Sequence, residues 1–493
     1  MKLPKSILIL LNRIKKLILC GPLLLSISAC SSNTVENCER QTEVAINGNK
    51  FYINGKPTYK GRIWTTSYGG EYPVEGLLMN ARLVQGIFDD LNPDTRGQWA
   101  YPDTRKWDPD RNTREFVDAM ASWREHGLLS FALNLQGGCP YGYCPYQVWD
   151  NSFFLPDGSL REEYLNRLEL ILDRADELGM VVILGYFYFG QDGVRGIRRL
   201  EDEQAVIRAV DNITGWLLDK GYRNLLIEIN NECSGNRYEH PILDCSRVHE
   251  LIQRISSTER DGYSFYVSTS LSGGQVPTPN IVEVSDYVLL HGNGVGDPAR
   301  MAEIIEEVRK MPVYNGQPIV NNEDDQPWRL PSQGWGEEGN NFVACVKNYA
   351  SWGLFDFRRP NEDTEYNEGF QSIPVNWHIT SERKRDFFNL LADITGSPGT
   401  PGIDLDFSKD IGKVNIQIQS ENFDIKIDQV ELIINNQIVS SVREGPYEFH
   451  IDNMPDSEHW VKARATYQSG KQQIIIESPY YRNPWWPYGG PSR

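Results

Sequence analysis

The sequence predicts a mixed α/β chain, a (β/α)8 (TIM) barrel over residues 46–395 followed by a small all-β sandwich over 405–482. Three patterns support this. Short apolar runs rich in β-branched residues alternate eight times with amphipathic segments of helical length, as parallel strands covered by helices require. The stretch Gly396-Ser397-Pro398-Gly399-Thr400-Pro401-Gly402 then reads as a linker, set at 396–404. Beyond it helical periodicity stops and only short alternating runs remain.

Taken in order, residues 1–29 form a targeting segment in which Lys2, Lys5, Arg13, Lys15 and Lys16 precede Leu17-Ile18-Leu19 and Leu23-Leu24-Leu25. That apolar stretch is too short to span comfortably as a retained helix. Residues 30–45 are a polar tether. Phe51-Tyr52-Ile53-Asn54-Gly55-Lys56-Pro57 alternates around Asn-Gly and predicts a hairpin closing the barrel floor. Thr58 to Trp64 is expected as the first strand, ending near Arg62, and Thr65 to Asp110 as a long functional insertion. The next strands are expected at Leu128–Asn134, Val181–Phe187, Asn224–Asn231, Ser264–Ser268, Tyr287–His291, Pro318–Asn322 and Gly353–Phe357. Helices are expected at Thr113–His126, Leu160–Leu178, Glu201–Lys220, Ser246–Ser257, Pro298–Met311, Asn341–Ser351 and Thr380–Ile394. An open doubly wound sheet competes, but no glycine-rich phosphate turn follows the first strand. In the sandwich, Val414–Ile418, Gln429–Ile434 and Trp460–Ala465 read as strands, with a turn at Asn435-Asn436. Residues 483–493 form an aromatic tail in which Trp485-Trp486-Pro487-Tyr488 is expected to pack against a domain.

The formal net charge is −18, more acidic still without the leader, which disfavours nucleic acid and its demand for basic patches. Six cysteines lie beyond the leader and Cys30. Cys139 with Cys144, and Cys233 with Cys245, are candidate local bridges in an exported chain. No Cys/His spacing suggests zinc, and no metal or cofactor is expected.

The chemistry concentrates where two apolar runs end in carboxylates. Asn224-Leu225-Leu226-Ile227-Glu228-Ile229-Asn230-Asn231-Glu232 and Pro318-Ile319-Val320-Asn321-Asn322-Glu323 both read as buried strands delivering a Glu at their carboxyl ends. Paired carboxylates at one barrel mouth are what a two-carboxylate glycosidase needs. Glu228, on the same strand face as Glu232 but about 13 Å away, is expected to pair with an arginine inside the barrel.

Three resemblances add to this reading. "EINNE" and "PIVNNE" in their strand contexts resemble the clan A glycoside hydrolases, retaining enzymes on this barrel, over roughly residues 50 to 395. That likeness implies Glu232 as acid/base, Asn231 as its 2-hydroxyl-binding companion and Glu323 as nucleophile. His291 leaves the sixth strand where such enzymes often place a His or Tyr, but His291-Gly292-Asn293 departs from the commoner His-x-Tyr, which leaves open what orients Glu323. Ile27-Ser28-Ala29-Cys30 looks like a bacterial lipobox and implies lipidation of Cys30 and anchoring to a membrane, with the chain facing the periplasm or cell surface. The run "LIINNQIV…GPYEF…HWVKARATYQSGK" is similar to bacterial immunoglobulin-like modules of secreted glycosidases, where it serves as spacer or packing partner.

Further substrate-binding candidates are Trp352 as a sugar platform, Arg62, Asn134 with Gln136, and Tyr186 with Tyr188, each at a strand exit. Trp149, Trp328 and Trp335 lie in loops on the same face, and Asp324 and Asp325 flank Glu323. The expected function is hydrolysis of β-glycosidic bonds in a polysaccharide or oligosaccharide by double displacement, endo-acting. The alternatives are a non-catalytic carbohydrate-binding lipoprotein and an exo-acting glycosidase. The sequence names neither the sugar nor the oligomeric state.

Overall fold

A short antiparallel meander begins the folded chain: β1 (Val44–Asn47), β2 (Lys50–Ile53) and β3 (Lys56–Pro57). Asn54 and Gly55 turn between β2 and β3 at φ 51° and 72°, the left-handed pair that a two-residue hairpin requires. Val44 and Phe51 bury themselves against Leu129, Val181 and Tyr287 at the starts of later strands, so the meander closes that end as expected. The computed structural model describes residues 40–144, 146–193, 199–358, 369–419, 423, 425–452 and 458–485. The leader, the lipobox with Cys30, Cys38 and Trp486-Pro487-Tyr488 lie outside these residues.

The expected first strand is displaced. Tyr59 and Gly61 adopt positive φ and break the extended run. The chain then folds into an antiparallel hairpin of β4 (Ile63–Thr65) and β5 (Glu71–Pro73). The first parallel strand is β6 (Asn80–Ala81), inside the fully buried stretch Leu77–Asp90, within the range expected as an insertion. There Asn80 and Arg82 interrupt the apolar run and hide its strand character.

Seven further parallel strands succeed it: β7 (Ser130–Asn134), β8 (Val181–Tyr188), β9 (Leu225–Asn231), β10 (Tyr266–Ser268), β11 (Val288–His291), β12 (Ile319–Glu323) and β13 (Gly353–Leu354). Strands β7 to β10 form one continuous sheet, β11 pairs with β12, and β13 pairs with β6. Isolated bridges Arg82–Ala132, Val320–Ser351 and Asp324–Leu354 join neighbouring pieces, and the Asp286 amide donates to the Val267 carbonyl at 3.0 Å. The parallel pairs therefore run in chain order and return from β13 to β6.

The pleat sorts side chains into two cores. Ala132, Ile183, Leu226, Leu289 and Val320 meet inside the strands. Their neighbours Phe131, Leu133, Val182, Leu184, Leu225, Ile227 and Leu290 pack outward against helices such as Pro109–Glu125, Glu162–Leu178 and Glu203–Asp219. Each of these helices carries one apolar stripe, which is the side it buries. Disulfides join Cys139 to Cys144 and Cys233 to Cys245, while Cys345 is free and buried.

The carboxyl-terminal part is all-β. One antiparallel sheet contains β14 (Gly402–Phe407), β15 (Lys413–Gln419) and β18 (Glu448–His450). The other contains β16 (Ile427–Ile434), β17 (Gln437–Val442), β19 (Trp460–Ser469), β20 (Gln472–Glu477) and β21 (Tyr481–Arg482). The β16–β17 turn is Asn435-Asn436, both at positive φ, and β14 starts at Gly402, inside the expected linker. Trp485 packs on Phe407 and His459. This part lies against the helix Pro109–Glu125 through β20. Trp460 and Tyr480 join Tyr101 and Trp107 in a shared cluster. Fully buried Glu477 is bound by Lys462 at 2.5 Å and Arg464 at 2.8 Å, with His378 at 3.8 Å.

Candidate active site

The carboxyl ends of β9, β11 and β12 bring three buried titratable groups together. After Asn231 the chain turns sharply, with Glu232 at φ 57°, a left-handed conformation that costs a non-glycine residue on the order of 1–3 kcal/mol. It is fixed from both sides: the Glu232 amide donates to Ser270 Oγ at 3.0 Å and the Cys233 amide to the Ser270 carbonyl at 3.0 Å. The bridge from Cys233 to Cys245 ties the following loop. On the other side, the β11–β12 register shifts between Leu290 and His291, which sets His291 opposite Glu323.

Glu232 and Glu323 are 6% and 4% exposed. His291 Nδ1 lies 3.2 Å from Glu232 Oε1 and 3.6 Å from Glu323 Oε2, and one oxygen of each carboxylate and an imidazole nitrogen all lie within 4.8 Å of one another. Burial pushes the His291 pKa down against the pull of Glu323 and Glu228, so the imidazole is neutral and its single N–H faces the carboxylates. Glu323 also accepts from Arg82 Nε at 3.0 Å and from Asn293 Nδ2 at 2.8 Å. Glu232 Oε2 pairs with Arg237. The two carboxylates thus sit side by side in different company. One is gripped by a guanidinium and an amide, the other by an arginine on a loop.

Below them, Glu228 accepts from Ser270 Oγ at 2.5 Å and Asn322 Nδ2 at 3.2 Å, and burial pushes its pKa up. The expected arginine partner goes elsewhere: Arg82 binds Glu323, and Glu228 is held by neutral donors. Glu232, His291 and Glu323 have the donor types for a cation. The fit is poor, because Arg82 and Arg237 already bring positive charge to the same two carboxylates.

Among the other sequence candidates, Asn231 lies beside Glu232, 3% exposed, with no protein partner for its Oδ1. Asn134 is buried with both amide atoms unpartnered, and its Oδ1 would meet a Cβ at position 185 at 2.3 Å, which is why glycine stands there. Gln136 is structural, bound to Ser152 Oγ and the Tyr188 amide.

Three candidates are placed away from the pair. Arg62 donates to the carbonyls of Asp393 and Ile394 near the carboxyl end of the helix Glu382–Thr395, because its true neighbour is the β4–β5 hairpin. Tyr186 bonds Thr214 on the helix Glu203–Asp219, so its side chain faces the helical layer; Tyr188 instead feels the charges of Arg82 and Glu323. Trp352 is fully buried, stacked on Phe342 and donating to Asp324 Oδ2 at 2.9 Å, because its flat face is covered by the core. Trp149, Trp328 and Trp335 likewise pack against Trp99, Phe357 and Phe387. Asp325 pairs with Arg329 at 3.0 Å.

Arg82, Arg237 and Tyr143 were missed. The signal for Arg82 was present, an arginine inside an otherwise apolar buried run. Arg237 and Tyr143 sit in disulfide-tied loops whose paths no periodicity gives. Tyr143 Oη accepts from Asn293 Nδ2 at 3.2 Å and donates to Asp325 Oδ2 at 3.3 Å.

No protein-family model matches the chain, and no curated protein matches it. Solved structures that resemble it include an endo-beta-1,4-mannanase from Thermotoga petrophila, 14% identical, covering 74% of this chain and 94% of that one with TM-score 0.36. A Glycoside Hydrolase Family 5 mannosidase from Rhizomucor miehei is 14% identical over 72% of this chain and 98% of its own, TM-score 0.41. A beta-glucuronidase from Bacteroides uniformis is 11% identical over 90% of this chain, TM-score 0.39, and the chain spans 47% of that protein. At these scores the reading of function rests on the residues of the site.

Proposed function

We propose that the protein is a retaining glycoside hydrolase acting on β-linked glycans, on a (β/α)8 barrel followed by an immunoglobulin-like sandwich. The observation that carries this is the carboxylate pair at the ends of β9 and β12, with oxygens within 4.8 Å. Direct attack on the sugar calls for carboxyl groups about 5–5.5 Å apart, whereas placing a water between them calls for about 6.5–9.5 Å.

Glu323 is the nucleophile, because Arg82 and Asn293 stabilise its ionised form and fix its direction. Glu232 is the acid/base: it protonates the departing oxygen as Glu323 attacks the anomeric carbon, then takes a proton from the water that releases the sugar. Neutral His291 stands between them and hydrogen-bonds without adding charge. Asn231, with its free Oδ1, is placed to meet a sugar hydroxyl. Tyr141 and Tyr143, 43% and 49% exposed on the Cys139–Cys144 loop, offer aromatic surface beside the site and favour endo action on a longer glycan. Cys30 would tether the enzyme to a membrane, and no helix among the described residues is long and apolar enough to cross one.

The test is reducing-sugar release on a broad panel of β-glycans, with the anomer formed read by proton NMR. The wild type should release sugar with retained β configuration, and Glu323→Gln and Glu232→Gln should lose about 1,000-fold or more. Background release by all three proteins, or an inverted product, overturns the reading; products of mixed length separate endo from exo action.

A further inference from the structure

Glu232 pairs with an arginine, an arrangement at odds with donating a proton. A carboxylate held by a guanidinium is stabilised in its ionised form, while a proton donor must carry its proton when substrate arrives. The other charges nearby are settled. Arg82 is bound to Glu323, Arg329 to Asp325, Glu228 is held by Ser270 and Asn322, and His291 is neutral. When Glu232 takes up its proton, the guanidinium of Arg237 is the one that loses its carboxylate at this site.

The loop around Arg237 is built to let that side chain move while its backbone stays put. The disulfide Cys233–Cys245 closes the loop. Tyr238 Oη donates to the Asn231 carbonyl at 2.6 Å, and Asp192 accepts from the amides of Glu239 at 2.6 Å and His240 at 3.1 Å. The Arg237 side chain is 21% exposed, with its guanidinium 4.9 Å above the Phe189 ring. It therefore sits at the edge of the site, on the side of the acid and hence of the leaving group.

We infer that Arg237 is a specificity-determining residue that receives a carboxylate on the leaving-group sugar, a hexuronate, and in turning to it frees Glu232 to hold its proton. The inference rests on the glycosidase reading. It adds a substrate class: glycans that present an acidic sugar immediately beyond the scissile bond. A neutral leaving group leaves Arg237 on Glu232 and the acid unprotonated, so acidic substrate and competent acid arise together.

The experiment compares hexuronate-bearing β-linked oligosaccharides with the same oligosaccharides after reduction of their carboxyl groups. Wild type should cleave the acidic members at least tenfold more efficiently in kcat/KM, Arg237→Gln should erase that ratio, and Arg237→Lys should restore part of it. On acidic substrate the alkaline limb of kcat should lie at higher pH than that of kcat/KM in the wild type, a separation that Arg237→Gln should abolish. Equal efficiency of wild type on both sets, or a ratio that survives in Arg237→Gln, overturns the assignment. If wild type and Glu323→Gln both release nothing from either set, the glycosidase reading fails instead. Calorimetry on the same pairs then decides the anion site: tighter binding of the acidic member that is lost in Arg237→Gln supports it, and equal binding overturns it.

Discussion

Asn293 donates from its side-chain amide to Glu323 Oε1 at 2.8 Å, two residues past His291, where the resembling enzymes commonly carry a tyrosine. The hydroxyl that a tyrosine would bring comes from another loop: Tyr143 Oη accepts from the same Asn293 amide at 3.2 Å. An amide and a distant phenol thus share the work of orienting one carboxylate. Asn293→Ala should lower kcat about 10- to 100-fold, the worth of a hydrogen bond to a charged group, while KM holds. Steady-state kinetics on any cleaved substrate checks this, and a rise in KM alone would assign Asn293 to sugar binding.

Trp352 is a core residue, stacked on Phe342 and bonded to Asp324. Trp352→Ala should cost about 3–5 kcal/mol in denaturant unfolding. Trp352→Phe, which keeps most of the packing, should leave KM for oligosaccharides unchanged. A Phe variant that is stable but binds sugar weakly would return Trp352 to the substrate site.

Burial pushes the Asp324 pKa up from 3.8 to about 7, against the lowering effect of bonds from the Gln326 amide, Trp352 and Asn341. The folded protein therefore holds this proton more tightly than the unfolded chain. Its contribution to stability is full below about pH 4 and is lost as pH rises through about 7. Asp324→Asn removes that titration, so its stability deficit relative to wild type should shrink between pH 4 and 7. Denaturation midpoints across that range test it, and a deficit independent of pH would show that Asp324 does not titrate there.

Glu477 joins the all-β part to the rest of the chain from within the interface. Burial alone would raise its pKa, but Lys462, His378 and Arg464 outweigh burial and hold it well below the usual carboxylate range. Glu477→Gln strands Lys462 in a buried place, a change worth about 3–5 kcal/mol. The wild type should unfold in one transition and the variant in two, as the sandwich loosens first. Calorimetric scans reveal the difference, and an unchanged single transition at the wild-type midpoint would show that the cluster carries no coupling.

Much of this was legible in local pattern. The hairpin at Asn54-Gly55 was readable because only a few dipeptides tolerate two left-handed residues in succession. The strands ending at Glu232 and Glu323 were readable because a strand buried on both faces must be apolar until it reaches a polar end. Both disulfides were readable as short-range options. β6 was not, since its two paired residues are an asparagine and an alanine, and the buried polar partners that justify Asn80 and Arg82 come from far along the chain.

By itself, then, the sequence determined the alternation of strands and helices, the change to an all-β part and the two carboxylates at strand ends, because each is written in the spacing of neighbouring residues. The tertiary structure decided which side chains surround those carboxylates. Tyr186 and Trp352 turned into packed layers, Arg62 went to a helix end, and Arg82, Asn293 and Arg237 were brought to Glu323 and Glu232. Composition cannot assign such roles, because an arginine or tryptophan at a strand exit has an apolar stem and a polar end. Which of the two is buried depends on residues hundreds of positions away.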